Sequence, residues 1–484
     1  MATLRIRFAP FQNKHLSRHE IQETGPGSQS KRARSHLGCR ECKRRRVKCD
    51  ETFPVCLRCQ GRGSICLSNA PQQQWQVEVP WLKQTQNCRS SLFTSLADSS
   101  INTLPYIDPR LLLMWLDKTS HIMGPNTAEN PLSYPIFQYI HQSPALVHII
   151  QSLSAGHEHF FEASKIHLSL EQRSLAMLSL AKQIETGETP STLQFLTCWL
   201  LGISATFIDN DVFDIGKEHL FAARSMVDSI VAHPASAPTP LEKYIIGVYV
   251  YWDLTCCTLL DTEEQLPFIQ STVAIQHYIS QVSVESHPIV GGHIQLFLLL
   301  ANLGRHCKAV TETGCNNPIL EASFESSLKN WPISDVDTMW EKTVGAFVKH
   351  GLVILYRLCG YPSNTGPPDG HAPDAEEEPE VSHLCIAGIA IEAVRTLLEI
   401  PVTSTFICLQ PIPLLSAGSE LSKDESDLRR QVVVRLEAIY SSNRLPCSLW
   451  TIQLLTELWE LHDAGLNLSW LDLMNMKNWR LRVG

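Results

Sequence analysis

The sequence predicts an all-α protein in two unequal parts: a small, basic, cysteine-rich module near the N-terminus and a large body of stacked helix pairs. Three observations predict it. Six cysteines between Cys39 and Cys66 fall into two copies of one spacing pattern. From about Asp108 onward apolar residues recur at helical spacing behind cap signals, while strand signals are few. Charge divides along the same line. Residues 1–66 hold fifteen Lys or Arg against five Asp or Glu, whereas the remainder carries 25 basic and 44 acidic residues. With 484 residues there is room for a metal module and a domain with its own core.

Residues 1–35 are polar and mixed, with GPGSQS at Gly25 to Ser30, and read as a mobile basic arm. The first twenty residues are charged throughout and contain no apolar stretch of signal-peptide length, so secretion is not expected and the cell interior is the default. Lys31-Arg32-Ala33-Arg34 suits either nuclear import or an extension of a polyanion-binding surface.

The module proper spans 36–68. Cys39, Cys42 and Cys49 are separated by two and six residues, and Cys56, Cys59 and Cys66 repeat those gaps seventeen residues later. A two-residue gap brings two thiolates to one tetrahedral ion, and zinc is the usual structural partner of thiolates. Six thiolates supply eight coordination sites only if two of them bridge, so the count suggests two zinc ions with shared sulfurs. A single four-cysteine site using Cys39, Cys42, Cys56 and Cys59 would leave Cys49 and Cys66 idle at matching offsets. Redox chemistry of the Cys-x-x-Cys type is expected near a βαβ pattern, which is missing from these flanks.

From Lys31 to Cys66 eleven Lys or Arg face only Glu41, Asp50 and Glu51. With six thiolates and two Zn²⁺ included, about +6 remains on some thirty-five residues, the footprint of a module that neutralises phosphates. The charge is lopsided. Lys43, Arg44, Arg45, Arg46 and Lys48 crowd the gap between Cys42 and Cys49, while the matching gap, Gln60 to Ile65, carries only Arg62. The first half is thus expected to meet double-stranded DNA and the second to brace it.

The run GCRECKRRRVKCDETFPVCLRCQGRGSIC, Gly38 to Cys66, resembles the fungal binuclear zinc cluster transcription factors at all six cysteines, the basic run, Asp50 and Pro54. The resemblance implies that Cys39 and Cys56 bridge two zincs, that Cys42 and Cys49 complete one, and that Cys59 and Cys66 complete the other. It also implies that Arg45 and Arg46 meet base edges at the end of a short recognition helix, with Lys43, Arg44 and Lys48 on phosphates. Arg46 stands where many members have lysine; either side chain can donate to guanine O6 and N7, which keeps a CGG-type triplet as the expected target. A nuclear regulator of RNA polymerase II genes follows from the same likeness.

Residues 69–105, opening with SNAPQQQWQVEVPWLKQ, read as a linker without apolar heptads. No zipper is visible, so a homodimer stays open.

The body, 106–484, opens with cap signals at Asp108-Pro109 and Ser143-Pro144. Leu146, Ile149, Ile150 and Leu153 lie at i, i+3, i+4 and i+7. Further helices are expected at 168–185, 191–208, 215–231, 240–262, 288–312, 337–359, 382–399, 425–441 and 447–463, paired antiparallel by short connections. The segment SPALVHIIQSLSAGHEHF, Tyr251-Trp252-Asp253 and the terminal WLDLMNMKNWRLRVG resemble landmarks of the fungal-specific regulatory domain of the same family. Such a body is expected to engage co-regulators or a small-molecule effector.

Three features invite other readings. Thr189 to Ile208 is uncharged over twenty residues, but its polar content and lack of flanking Lys or Arg favour a buried core helix over a membrane span. His157-Glu158-His159 clusters ligand-type residues, yet alternate helix positions diverge, and a core-edge or exposed histidine is expected. Gly366 to Glu380, within 363–381, is acidic and Pro-rich and reads as a disordered loop. The other ten cysteines lie among apolar stretches and read as buried thiols. No glycine-rich phosphate loop, His-Glu-x-x-His or nucleophile elbow is present. An enzyme housed in the body is therefore disfavoured, and the concentrated basic run argues against a zinc-stapled scaffold that does not touch DNA.

Overall fold

The computed structural model describes residues 6–8, 40–49, 57–60, 62, 75–77, 106–126, 130–158, 166–208, 212–232, 238–265, 275–276, 279, 287–334, 338–360 and 378–484. The chain forms two compact units, Met1–Glu78 and Val79–Gly484.

In the first unit two short helices, α1 (Arg40–Arg44) and α2 (Leu57–Gln60), lie in contact. Three arm residues and three linker residues depart from the mobile segments expected there. Ile6–Phe8 (β1) pairs antiparallel with Trp75–Val77 (β2), in the register Ile6↔Val77 and Phe8↔Trp75. Both triplets, I-R-F and W-Q-V, alternate apolar and polar residues, but three residues are too few to read as a strand from sequence. The Lys31 to Arg34 tetrapeptide and most of the linker lie outside the described residues.

The second unit is helical, as its periodicity predicts. The helix α3 (Pro109–Met114) is capped by Asp108, whose carboxylate accepts from Arg110 N at 2.8 Å, and it runs on through a π-helical turn at Trp115–Thr119. There follow α4 (Pro144–Glu158), α5 (Ile166–Thr186), α6 (Ser191–Ile208), α7 (Lys217–Ala232) and α8 (Pro240–Cys256). Then come α9 (Ile294–Thr313), α10 (Pro318–Lys329), α11 (Met339–Cys359), α12 (Glu378–Glu399) and α13 (Pro411–Ser419). The last three are α14 (Ser426–Asn443), α15 (Cys447–Asp463) and α16 (Trp470–Met476). Neighbours in sequence pack against one another, α4 on α5, α6 on α7, α8 on α9, α11 on α12 and α14 on α15, which builds the expected stack of helix pairs.

Caps set the boundaries. Thr239 and Glu242 form a capping box that starts α8, Thr338 accepts from Glu341 N to start α11, and Gly314 in the left-handed region ends α9. Three helices, α10, α13 and α16, are not among those expected from the sequence. Asn317-Pro318 is a cap followed by a first-turn proline, but the amphipathic pattern behind it is short, and α13 is obscured by Pro411 and Pro413, both tolerated because they sit in its first turn. The expected helix at 288–312 starts only at Ile294, because His287 and Gly291 pair across a tight turn. Of the loop expected at 363–381, residues up to 377 lie outside the described residues, and the last four belong to α12.

The core is continuous along the stack. Phe195, Leu196, Trp199, Leu200 and Leu201 of α6 are all buried in it, in contact with α4, α5, α7 and α8, which fits a core helix. No described helix is long and apolar enough to cross a membrane. The landmark Asp253 makes a buried ion pair with Arg305 that ties α8 to α9. The terminal landmark docks as a strap: Leu481 and Val483 are buried, and Arg480 pairs with Asp261 at 2.8 Å.

His157 is a correction. It is fully interior, neither core-edge nor exposed, and its ring nitrogens have no hydrogen-bond partner among the described residues. His159 lies outside the described residues. Burial holds His157 down to about 3, and burial likewise holds His287 and His350 at about 4. The geometry at His287 shows why. Its Nε2 meets Tyr244 O at 2.9 Å, while Nδ1 accepts from Ile289 N at 3.0 Å and Val290 N at 3.2 Å, leaving no acceptor for a second proton. Gly247 makes room for this ring, since a Cβ there would lie 2.4 Å from His287 Nε2.

These three histidines make the body acid-sensitive. Each binds a proton in the unfolded chain below about pH 6.5 and not in the folded one until the pH falls to its depressed value, so stability present above pH 6.5 drains away between there and about pH 4. The loss is about 1.4 kcal/mol per pH unit for each histidine. Urea midpoints measured at about pH 7.5, 6 and 5 should fall steadily; a flat profile would exclude burial of the neutral forms.

Candidate nucleic-acid interface and metal centre

Of the six patterned cysteines the described residues include Cys42, Cys49 and Cys59; Cys39, Cys56 and Cys66 lie outside them. All three described thiols are buried and cluster together, with partly buried Val47 as the apolar residue packed against them. Among the described residues this interior of thiols and one valine gives almost no hydrophobic stabilisation. Thiols so gathered are the soft donor set that zinc takes in closed structural sites, so the residues present fit the metal, which would supply the missing folding energy.

The basic run is carried by α1 and the turn that ends it. Cys42, in mid-helix, faces inward, while Lys43, Arg44, Arg45, Arg46 and Lys48 are all exposed. The helix closes in a Schellman motif: Val47 N donates to Cys42 O at 3.0 Å and Arg46 N to Lys43 O at 3.1 Å. Arg46 is the left-handed residue of that motif, at φ 57°. This is a position that ordinarily favours glycine, and a residue with a Cβ held there carries local backbone strain.

Glu41 contributes as well, although the cysteine pattern and the basic run do not single it out. It pairs with Arg44 at 2.9 Å and with Arg45 at 2.5 Å. The Arg44 hydrogen bond, followed by that of Arg45, holds the Glu41 carboxyl below its ordinary range despite some desolvation. The signal is present in the sequence as a carboxylate three and four residues ahead of two arginines. Arg44 and Arg45 are thereby steered along the helix, whereas Arg46 leaves it in a different direction. The second half repeats the turn in reduced form, with Arg62 N donating to Cys59 O at 3.2 Å.

Removing metal should therefore collapse the small unit and spare the large one. A full-length chain treated with a strong chelator is expected to become protease-sensitive between residues 31 and 70 while its far-UV circular dichroism changes little. Protection of that segment in metal-free protein would show that it folds without zinc.

Comparison with known proteins agrees with this division. Residues 37–76 match the fungal Zn(2)-Cys(6) binuclear cluster domain, and residues 110–484 match the fungal specific transcription factor domain. The chain is 32% identical over 110 residues to an uncharacterised transcriptional regulatory protein of Schizosaccharomyces pombe, covering 22% of this chain and 19% of that one. It is 44% identical over 52 residues to the C6 finger domain transcription factor hasF of Aspergillus fumigatus, covering 10% of this chain and 7% of that one. It is also 44% identical over 41 residues to the Zn(2)-C6 fungal-type transcription factor afumD of the same species, covering 8% and 11%. The matches span less than a fifth of each of these relatives. No solved structure matches the chain. With a family model covering most of its length and a second over its cysteine module, the chain belongs to the fungal-specific transcription factor family and carries a Zn(2)-Cys(6) binuclear cluster domain.

Proposed function

We propose that this chain is a nuclear, zinc-dependent regulator of RNA polymerase II genes that binds double-stranded DNA at CGG-type triplets. Two zincs fold the module, with Cys39 and Cys56 shared, Cys42 and Cys49 on one ion, and Cys59 and Cys66 on the other. Its α1 enters the major groove. Arg45 and Arg46 read base edges, and Lys43, Arg44 and Lys48 hold phosphates and so fix the register. The observation that carries this reading is the exposure of five basic side chains on one short helix and its closing turn, over a buried thiol centre. The helical body regulates through co-regulators, a small-molecule effector or a homodimer, and its acidic surplus disfavours direct contact with phosphate.

Two kinds of contact leave different traces in a binding titration. Arg46→Ala should cost roughly 1–3 kcal/mol and relax discrimination within the triplet, while Lys48→Ala should weaken all duplexes alike and lower the salt slope by about one. Arg46→Gly separates readout from folding, because glycine suits the left-handed position and should relieve strain while losing the same discrimination. An unchanged ratio of CGG to scrambled affinity in both Arg46 variants would remove the assigned role.

The body tests the division of labour. Deleting residues 106–484 should leave single-triplet recognition intact while reporter output is lost or becomes unregulated. A zinc-loaded, folded fragment that no longer prefers CGG would show that the body itself contributes to recognition.

A further inference from the structure

Two helix ends meet the flank of a third helix at a cluster of side chains that the DNA-binding reading does not use. His306 and Cys307 are adjacent on α9, Glu321 is in the first turn of α10, and Cys359 is the last residue of α11. His306 Nε2 lies 2.9 Å from Glu321 Oε1, and the sulfurs of Cys307 and Cys359 are 3.7 Å apart. One donor atom each from His306, Glu321 and Cys359 lies within 4.8 Å of the others. Cys307 and Glu321 are buried, and His306 and Cys359 are partly so.

The surroundings hold these groups in place. Asn316 Nδ2 donates to Glu321 Oε1 at 3.1 Å and to Cys359 O at 2.6 Å, and Asn317 N donates to the same carboxylate oxygen at 2.9 Å. The α9–α10 connection therefore fixes both the carboxylate and the end of α11. Supporting hydrogen bonds of this kind orient metal ligands. The described residues give Glu321 only His306 as a partner of opposite charge, and that charge exists only when the ring is protonated. A buried carboxylate beside a thiol is costly unless a cation compensates it.

Chemistry identifies the cation. The Cys307 and Cys359 sulfurs, 3.7 Å apart, are far from the roughly 2.0 Å of a disulfide, so Cys359 is free to act as a thiolate ligand. Imidazole, carboxylate and thiolate form a mixed nitrogen, oxygen and sulfur set that suits zinc and excludes the all-oxygen preference of calcium or magnesium. The His306 to Glu321 separation is shorter than the tetrahedral edge of about 3.4 Å, so these two side chains part by a few tenths of an ångström on loading.

We propose that His306, Glu321 and Cys359 form a zinc-class metal site in the regulatory body, distinct from the N-terminal cluster, that ties α9 to the start of α10 and the end of α11, with solvent in the fourth position. Loading releases the Cys359 thiol proton to solvent. The His306 proton moves to Nδ1, so that Nε2 offers its lone pair to the ion. Metal availability would then bear on the rigidity of the body as well as on the DNA-binding module.

The test uses the full chain, stripped of metal under reducing conditions, reloaded with excess Zn²⁺ and desalted. Elemental analysis and native mass spectrometry should find one more zinc per chain in the wild type than in Cys359→Ser or Glu321→Gln. Cobalt loading should give a wild-type-minus-variant difference spectrum with a thiolate charge-transfer band in the near ultraviolet. Circular dichroism verifies that the variants are folded, and the near-isosteric Glu321→Gln guards against loss of structure in the cysteine variant. Equal zinc content in the wild type and both variants would overturn the site, as would recovery of Cys307 and Cys359 as a disulfide with no additional metal. Because the readout is a difference between chains that all keep the N-terminal cluster, it is independent of whether that cluster reads CGG.

Discussion

The described interior of the N-terminal module is made of sulfur. Among the described residues Cys42, Cys49 and Cys59 are buried against one another with Val47 beside them, and a module this short buries too little apolar surface to hold its chain in place. Metal–thiolate bonds must do so, and the basic surface depends on them. The basic helix α1 has five residues, far below the length at which an isolated helix persists in water. It exists because Cys42 anchors its inner face, Glu41 braces two of its arginines, and a Schellman turn closes it at Arg46. Removing the thiolate centre would disperse the five cationic side chains over a mobile segment of equal charge but no fixed geometry.

The body meets the opposite problem. Its core is large and continuous, and the difficulty is what to do with polar groups inside it. Asp253 and Arg305 neutralise each other between α8 and α9. His287 is held neutral by one bond to Tyr244 O and two backbone donors, and Arg435 is bound to the carbonyls of Leu398 and Ile400. Such groups add little net stability compared with well-packed apolar residues, but removing one partner of a buried pair costs several kcal/mol, so they specify one arrangement of the helix pairs. The terminal strap works similarly, with Arg480 on Asp261 and the guanidinium of Arg482 against the carbonyls of Gly202 and Ile203.

Much of this is legible in the sequence, for identifiable reasons. Metal chemistry constrains spacing, so two copies of one cysteine pattern are enough to announce zinc. Helix caps are local, so Asp108-Pro109 and the Thr239 to Glu242 box can be read from neighbouring residues alone. The uncharged α6 is recognisable as a core helix because its polar residues and flanks do not suit a lipid environment. Even the Glu41 brace is present as a three- and four-residue spacing.

Other features required the tertiary structure because they depend on residues far apart in the chain. His157 continues the apolar face of α4 four residues beyond Leu153, but how deeply that face lies is set by the packing of α4 on α5 and α6, and the turn at His287 that delays α9 is held by Tyr244, forty-three residues away. The left-handed Arg46 defies the local preference for glycine and is held there by the closing turn that Cys42 anchors. The meeting of His306, Glu321 and Cys359 has no linear spacing to betray it, since each comes from a different helix. Sequence alone determined the zinc chemistry, the helical class and the family, which rest on short-range spacing. Which side chains share an interior was decided by the packing of helices whose contacts span the whole chain.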